Sequence, residues 1–70
     1  NMPAAISALE RAFNLTPNNP DISYSLAQWY VAEENYNQAL FYARNLARLV
    51  PGNQQVQQFV KQLEMMKSIN

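Results

Sequence analysis

Seventy residues make one small domain that buries only about 60% of its unfolded surface, which leaves no room for a separate catalytic domain. Five acidic and five basic side chains cancel to zero formal net charge and lie scattered, which argues against nucleic acid or an anionic membrane as default partner. With neither cysteine nor histidine, the chain has no disulfide framework, no thiolate metal site and none of the commonest acid–base residue, so no metal and no cofactor is expected.

The first predicted helix spans 3–15, with an apolar face of Met2, Ala5, Ile6, Leu9, Ala12 and Phe13. Pro17 and Pro20 then bracket Asn18 and Asn19, a stop, turn and restart. Asn19 suits an N-cap, with Pro20 at the first helical position and Asp21 near the positive end of the helix dipole. The second helix, 20–33, presents Ile22, Leu26, Ala27, Trp29 and Tyr30. A break follows at Glu34-Asn35-Tyr36, where Asn35 caps and Gln38 stands three residues on, as in a capping box. The third helix, 36–49, carries Tyr36, Ala39, Leu40, Ala43, Leu46, Ala47 and Val50 at nearly ideal one-sided spacing. Its alanines admit a close neighbour, and the short break makes helices two and three an antiparallel hairpin. Pro51-Gly52-Asn53 ends it, Asn53 repeating the role of Asn19, and the last helix, 54–68, keeps Val56, Val60 and Leu63 on its buried face.

A period of 34 residues runs through this pattern. At that offset Asn1 falls on Asn35, Ala5 on Ala39, Leu15 on Leu49, Pro17 on Pro51, Asn19 on Asn53 and Gln28 on Gln62. Ile6, Ile22 and Leu26 fall on Leu40, Val56 and Val60. These are helix-boundary and core positions, as stacked helical repeats require.

On these residues the stretch Pro20 to Asn53 resembles one complete tetratricopeptide repeat. Leu26, Ala27 and Tyr30 match the family's first helix, Ala39 its hallmark small residue in the second, and Pro51 its close. Ala5, Leu9, Ala12 and Pro17 match the second half of a preceding repeat. The departures are Ser23 where a large aromatic is usual, Ala43 where Phe or Tyr is frequent, Leu46 where Ala is usual and Glu34 where Gly is favoured. Trp29, one residue before the matching Tyr, returns some of the lost volume.

The resemblance implies an all-α chain of antiparallel helical hairpins stacked as a short right-handed superhelix. It divides the single domain 1–70 into the second half of a preceding repeat (1–19), a complete repeat (20–53) and a capping helix (54–70). Glu64 stands where Tyr30 does in the complete repeat, which fits a polar outer side at a solenoid end. A pentatricopeptide repeat is disfavoured, since its period is one longer and an RNA reader would be more basic. An unrelated bundle suits the apolar faces equally well.

Candidate chemistry is sparse. Glu33 and Glu34 are adjacent, but neighbours on a helix point about 100° apart and these sit at an exposed end, so a solvated terminus outweighs a general acid and base. No histidine activates Ser7, Ser23, Ser25 or Ser68, and Gly52 is the sole glycine, so no phosphate-cradling loop exists. Asn14-Leu15-Thr16 matches a glycosylation acceptor formally but ends a helix before Pro17, and coincidence is the better reading. Met65 and Met66 are expected in core or end-cap packing, and the amide-rich stretch Gln54 to Gln62 reads as ordinary helix. No apolar run approaches the ~18 residues of a membrane span, and the start lacks a signal-peptide pattern. Any targeting signal would lie outside this stretch, and the compartment is left open.

The resemblance also implies a ligand groove, because the first helix of each repeat lines the concave surface. That carries Asp21, Tyr24, Gln28 and Val31 onto the groove, continued by Gln55, Gln58, Gln62 and Met65. Such a face has no Lys or Arg and so cannot supply the basic clamp by which some family members grip acidic tails. It suits a neutral extended peptide or a helix, and plain solvated surface is the competing account. The expected function is a non-enzymatic protein-interaction module excised from a longer chain. The alternative is a structural or regulatory segment of a larger enzyme or secretion assembly whose activity lies elsewhere. Ala5, Leu9 and Phe13 occupy the places of Ala39, Ala43 and Ala47, where a repeat's second helix meets its first. With nothing in the chain expected to cover them, they predict that the fragment pairs as a homodimer.

Overall fold

A computed structural model describes residues 2–69 of the chain. Asn1, Asn70 and the side chain of Met2, which enter the repeat offset, the outer boundaries and the first apolar face above, lie outside the described residues. Four helices follow one another, α1 (Met2–Leu15), α2 (Pro20–Ala32), α3 (Tyr36–Leu49) and α4 (Gln54–Ile69), and each packs against the next. The fold is the all-α stack of hairpins expected, with helix ends within about a residue of those predicted.

The asparagines set the starts. Asn19 Oδ1 accepts from the Asp21 N–H at 2.9 Å, Asn35 Oδ1 from the Gln38 N–H at 3.3 Å and Asn53 Oδ1 from the Val56 N–H at 3.1 Å. Each satisfies one of the orphan donors of a helix N-terminus, worth about 1 kcal/mol. The stop after α2 falls on Glu34, whose φ of 60° is the left-handed conformation that glycine adopts freely.

The core lies along the seams. Leu26 and Ala27 of α2, Ala39, Leu40 and Ala43 of α3 and Leu63 of α4 are essentially without exposed surface. The α2–α3 seam is the most extensive, because alanine on both sides lets the larger Leu26 and Leu40 fill the flanks. Burying each leucine contributes about 1.5–3 kcal/mol. Ile6 joins this cluster from α1, and Leu9 and Phe13 pack at its edge.

Ser23 is the polar exception, buried completely in α2. Asn45 of α3 donates to its Oγ at 2.8 Å and also to the Pro17 carbonyl at 3.1 Å. A serine at a core position survives because a neighbouring amide meets it, and the same amide ties the α1–α2 turn to α3. The expectation that Met65 and Met66 pack into the core or the end cap is not met: both are exposed, Met65 by 66%.

Candidate functional site

The residues predicted for the groove begin in the first turn of α2. Asn19 and Pro20 fix where the helix starts, and Asp21, Tyr24 and Gln28 then follow at i, i+3 and i+7 on one exposed flank. Gln28 Nε2 donates to Tyr24 Oη at 3.0 Å, so the phenol oxygen accepts there and its own hydrogen remains available to a ligand acceptor.

Across from this flank stand Gln55, Val56 and Phe59 of α4, with Leu46 of α3 and its C-cap Val50 beneath, and together they enclose an open cleft of about 420 Å³. The Tyr24 and Phe59 rings face each other at 6.3 Å in a tilted arrangement. Half of Tyr24 is exposed, and Phe59 is half-buried against the core. Asp21 is the sole charged residue among those lining the cleft.

The structure thus brings Asp21, Tyr24, Gln28 and Gln55 together but leaves the other predicted groove residues apart. Val31 is half-buried against the core cluster. Gln58, Gln62 and Met65 are exposed on α4 without lining the cleft. The reason is geometric: shifting by one repeat assigns α4 the positions that α2 uses, of which Gln55 alone reaches the cleft, while α4 meets it otherwise through Val56 and Phe59. Phe59 was therefore missed. The signal was present, because Gln55 and Phe59 stand at i and i+4 on one side of α4.

A second polar cluster escaped the sequence reading. Glu10 Oε2 accepts from Tyr30 Oη at 2.5 Å and from Tyr42 Oη at 3.2 Å, so one carboxylate of α1 ties α2 to α3. The two phenol rings stack at 5.9 Å, within 4° of parallel. Burial, followed by the charge of Glu10 and its hydrogen bond, pushes Tyr42 up to about 12, and burial with the Glu10 hydrogen bond raises Tyr30 as well. Both phenols are held neutral as donors. Partners 20 and 32 residues apart leave no local trace in a sequence.

Ala5, Leu9 and Phe13 are half-buried. The Phe13 ring sits edge-on to Tyr42 at 5.1 Å and to Phe41 at 6.4 Å. The expectation of a stripe covered by nothing in the chain is revised accordingly, since α3 aromatics and the core edge cover part of it. Glu33 and Glu34 are exposed at the end of α2, and among the described residues no helix is long and apolar enough to cross a membrane.

No curated protein and no solved structure matches the chain. A family model described as tetratricopeptide repeat matches residues 1–63. That is most of the chain, which therefore belongs to the tetratricopeptide repeat family. Repeats of this family serve in general as protein-interaction modules, are typically non-catalytic scaffolds, and point to protein as the class of partner.

Proposed function

We propose that this chain binds a neutral, extended peptide or a helix of a partner protein in the cleft between α2 and α4. The observation that carries the reading is the cleft itself. The Tyr24 and Phe59 rings, 6.3 Å apart and tilted, are in aromatic contact and together give the cleft an apolar wall on which a ligand side chain can pack. Gln28, Gln55 and the Tyr24 hydroxyl stand beside them as donors and acceptors for a peptide backbone. Asp21 repels an acidic ligand, and no Lys or Arg lines the cleft to attract one. Val31, Gln58 and Gln62 extend the surface beyond the cleft proper, as rim residues that exclude water more than they anchor.

The division into a half-repeat at 1–19, a complete repeat at 20–53 and a capping helix at 54–70 belongs to the same proposal. Asparagine caps at 19, 35 and 53 support it, as does the exposed side of α4. In a stack of this kind the chain contributes one cleft to a longer groove, and in a larger enzyme or assembly it would do so as a positioning segment.

The test is a set of synthetic neutral peptides, each with one leucine or phenylalanine anchor, titrated into the labelled protein and followed by amide shifts. Shifts should gather at Asp21, Tyr24, Gln28, Gln55 and Phe59. Tyr24→Ala should weaken binding by about 10-fold, the usual cost of truncating a buried aromatic anchor. Shifts gathered elsewhere, or an affinity indifferent to Tyr24→Ala, would refute it.

A further inference from the structure

We infer that the outer face of α3 is a second docking surface, and that its occupant is an acidic peptide segment carrying an aromatic or other large apolar side chain. Asn37, Phe41, Arg44, Asn45 and Arg48 recur at i, i+4, i+7, i+8 and i+11, opposite the buried stripe of Ala39, Leu40, Ala43 and Leu46. They line a shallow depression of about 470 Å³ on α3 alone.

Three observations point to an anionic partner with an apolar part. The first is charge: this depression holds Arg44 and Arg48 and no carboxylate among its lining residues, and although Glu64 pairs with Arg44 from its edge, Arg48 pairs with no carboxylate among the described residues. The α2–α4 cleft is its complement, with Asp21 and no base. The second is preorganisation. Arg48 Nη2 donates to Asn45 Oδ1 at 2.6 Å, and Asn45 is itself anchored through its Nδ2 to the fully buried Ser23 and to the Pro17 carbonyl. The guanidinium is therefore held by one edge, with its remaining donors free to form a charge-assisted pair with a ligand carboxylate. Arg44 is aimed similarly by Glu64 at 3.0 Å.

The third is Phe41, which is 57% exposed yet held in place by Tyr42 at 5.0 Å and Phe13 at 6.4 Å, both edge-on. A solvent-facing ring that is already immobilised loses little entropy when a ligand covers it. Nor does the scaffold demand it. One period upstream the five positions hold Pro3, Ser7, Glu10, Arg11 and Asn14, so the repeat architecture tolerates other side chains there. Nucleic acid also favours arginine beside an aromatic ring, but with Arg44 paired to Glu64 the one guanidinium left, Arg48, suffices for a single ligand carboxylate and not for a run of phosphates.

A synthetic peptide of alternating aspartate and phenylalanine is the probe, with a lysine–phenylalanine peptide and a mixed-sequence single-stranded oligonucleotide as comparators. Shifts in the aspartate peptide titration should gather on Asn37, Phe41, Arg44 and Arg48. Arg48→Gln and Phe41→Ala should each weaken it ~10-fold, Tyr24→Ala should leave it unchanged, and added salt should weaken it further. The proposal is overturned by no binding up to about 1 mM, by shifts confined to the α2–α4 cleft, or by either α3 variant binding as tightly as the parent. Tighter binding of the lysine peptide or of the oligonucleotide overturns it too. Because Tyr24 is read in the same titrations, failure here is separable from failure of the cleft proposal.

Discussion

Replacing Glu34 by glycine should stabilise this protein. Glu34 stands at φ 60°, where a Cβ crowds the following carbonyl oxygen at a cost of roughly 1–2 kcal/mol. The end of α2 imposes that conformation: the Glu34 N–H bonds to the Val31 carbonyl at 2.9 Å and the Asn35 N–H to the Tyr30 carbonyl at 2.9 Å. These two bonds form when a left-handed residue follows the last helical turn. Glycine keeps both and removes the crowding, but adds unfolded-state entropy of about 0.4–1 kcal/mol. The net gain is about 0.5–1 kcal/mol, a rise in Tm of roughly 2–8 °C for a domain of this size. Far-UV circular dichroism melts at one fixed protein concentration measure it, with Glu33→Gly as the control. Glu33 has φ of −91°, so glycine there brings only its entropy cost and should lower Tm. A Glu34→Gly variant that melts below the parent, or that moves together with Glu33→Gly, refutes the reasoning.

Ala39→Leu should overpack the α2–α3 seam, where Ala39 and Ala27 have no exposed surface, and cost about 1–3 kcal/mol; an unchanged melting temperature removes that packing. The neutral Tyr30 and Tyr42 phenols predict alkaline loss of stability. Both folded-state values lie above the ordinary ~10, so the folded state holds these protons more tightly. Their contribution is complete below pH ~10 and is lost as pH rises from there through about 12. Urea midpoints should fall across that window in the parent and less steeply in Tyr30→Phe with Tyr42→Phe. That variant should also lose on the order of 1–3 kcal/mol at neutral pH, because Glu10 is left without either donor; a parent midpoint flat across the window contradicts the first expectation, and a variant as stable as the parent at neutral pH contradicts the second. The 70-residue chain should pair through Ala5, Leu9 and Phe13 on the order of tens of micromolar. Sedimentation of Leu9→Glu with Phe13→Glu should give monomer, with circular dichroism to check folding, and a monomeric parent or a dimer that survives both changes sinks that proposal.

The helices were legible because their signals are local. Asn19, Asn35 and Asn53 each cap the helix they precede, and the stop at Glu34 follows from backbone geometry within a few residues. Burial was legible where spacing decides it, as for Ala39, Leu40, Ala43 and Leu46. What escaped depends on side chains meeting across helices. Glu10 looked like any surface acid until two phenols reached it, and Asn45 like any surface amide until it met the serine in the core. The cleft was half legible for a related reason. The offset assigned α4 the positions that α2 uses, of which only Gln55 reaches the cleft, so Gln55 was found and Phe59 was not.

The internal repeat separates what the scaffold asks for from what it permits, and does so imperfectly. Ala5 and Ala39, or Pro17 and Pro51, agree across the period because both serve a seam or a turn. Leu15 agrees with Leu49 too, yet Leu15 is 83% exposed while Leu49 is half-buried. Identity across the period therefore marks a shared place in the repeat and not a shared environment, since burial needs a neighbour as well as a position. Divergence is the more informative observation at exposed sites. Asp21 against Gln55, Tyr24 against Gln58 and Ser7 against Phe41 differ where packing imposes little. Those positions put a single carboxylate and one ring, Tyr24, on the α2–α4 cleft, and an exposed ring beside two guanidinium groups on α3. Two surfaces of opposite electrostatic character on so small a scaffold would select partners of different charge, which makes Tyr24→Ala and Arg48→Gln the pair of substitutions that should separate them.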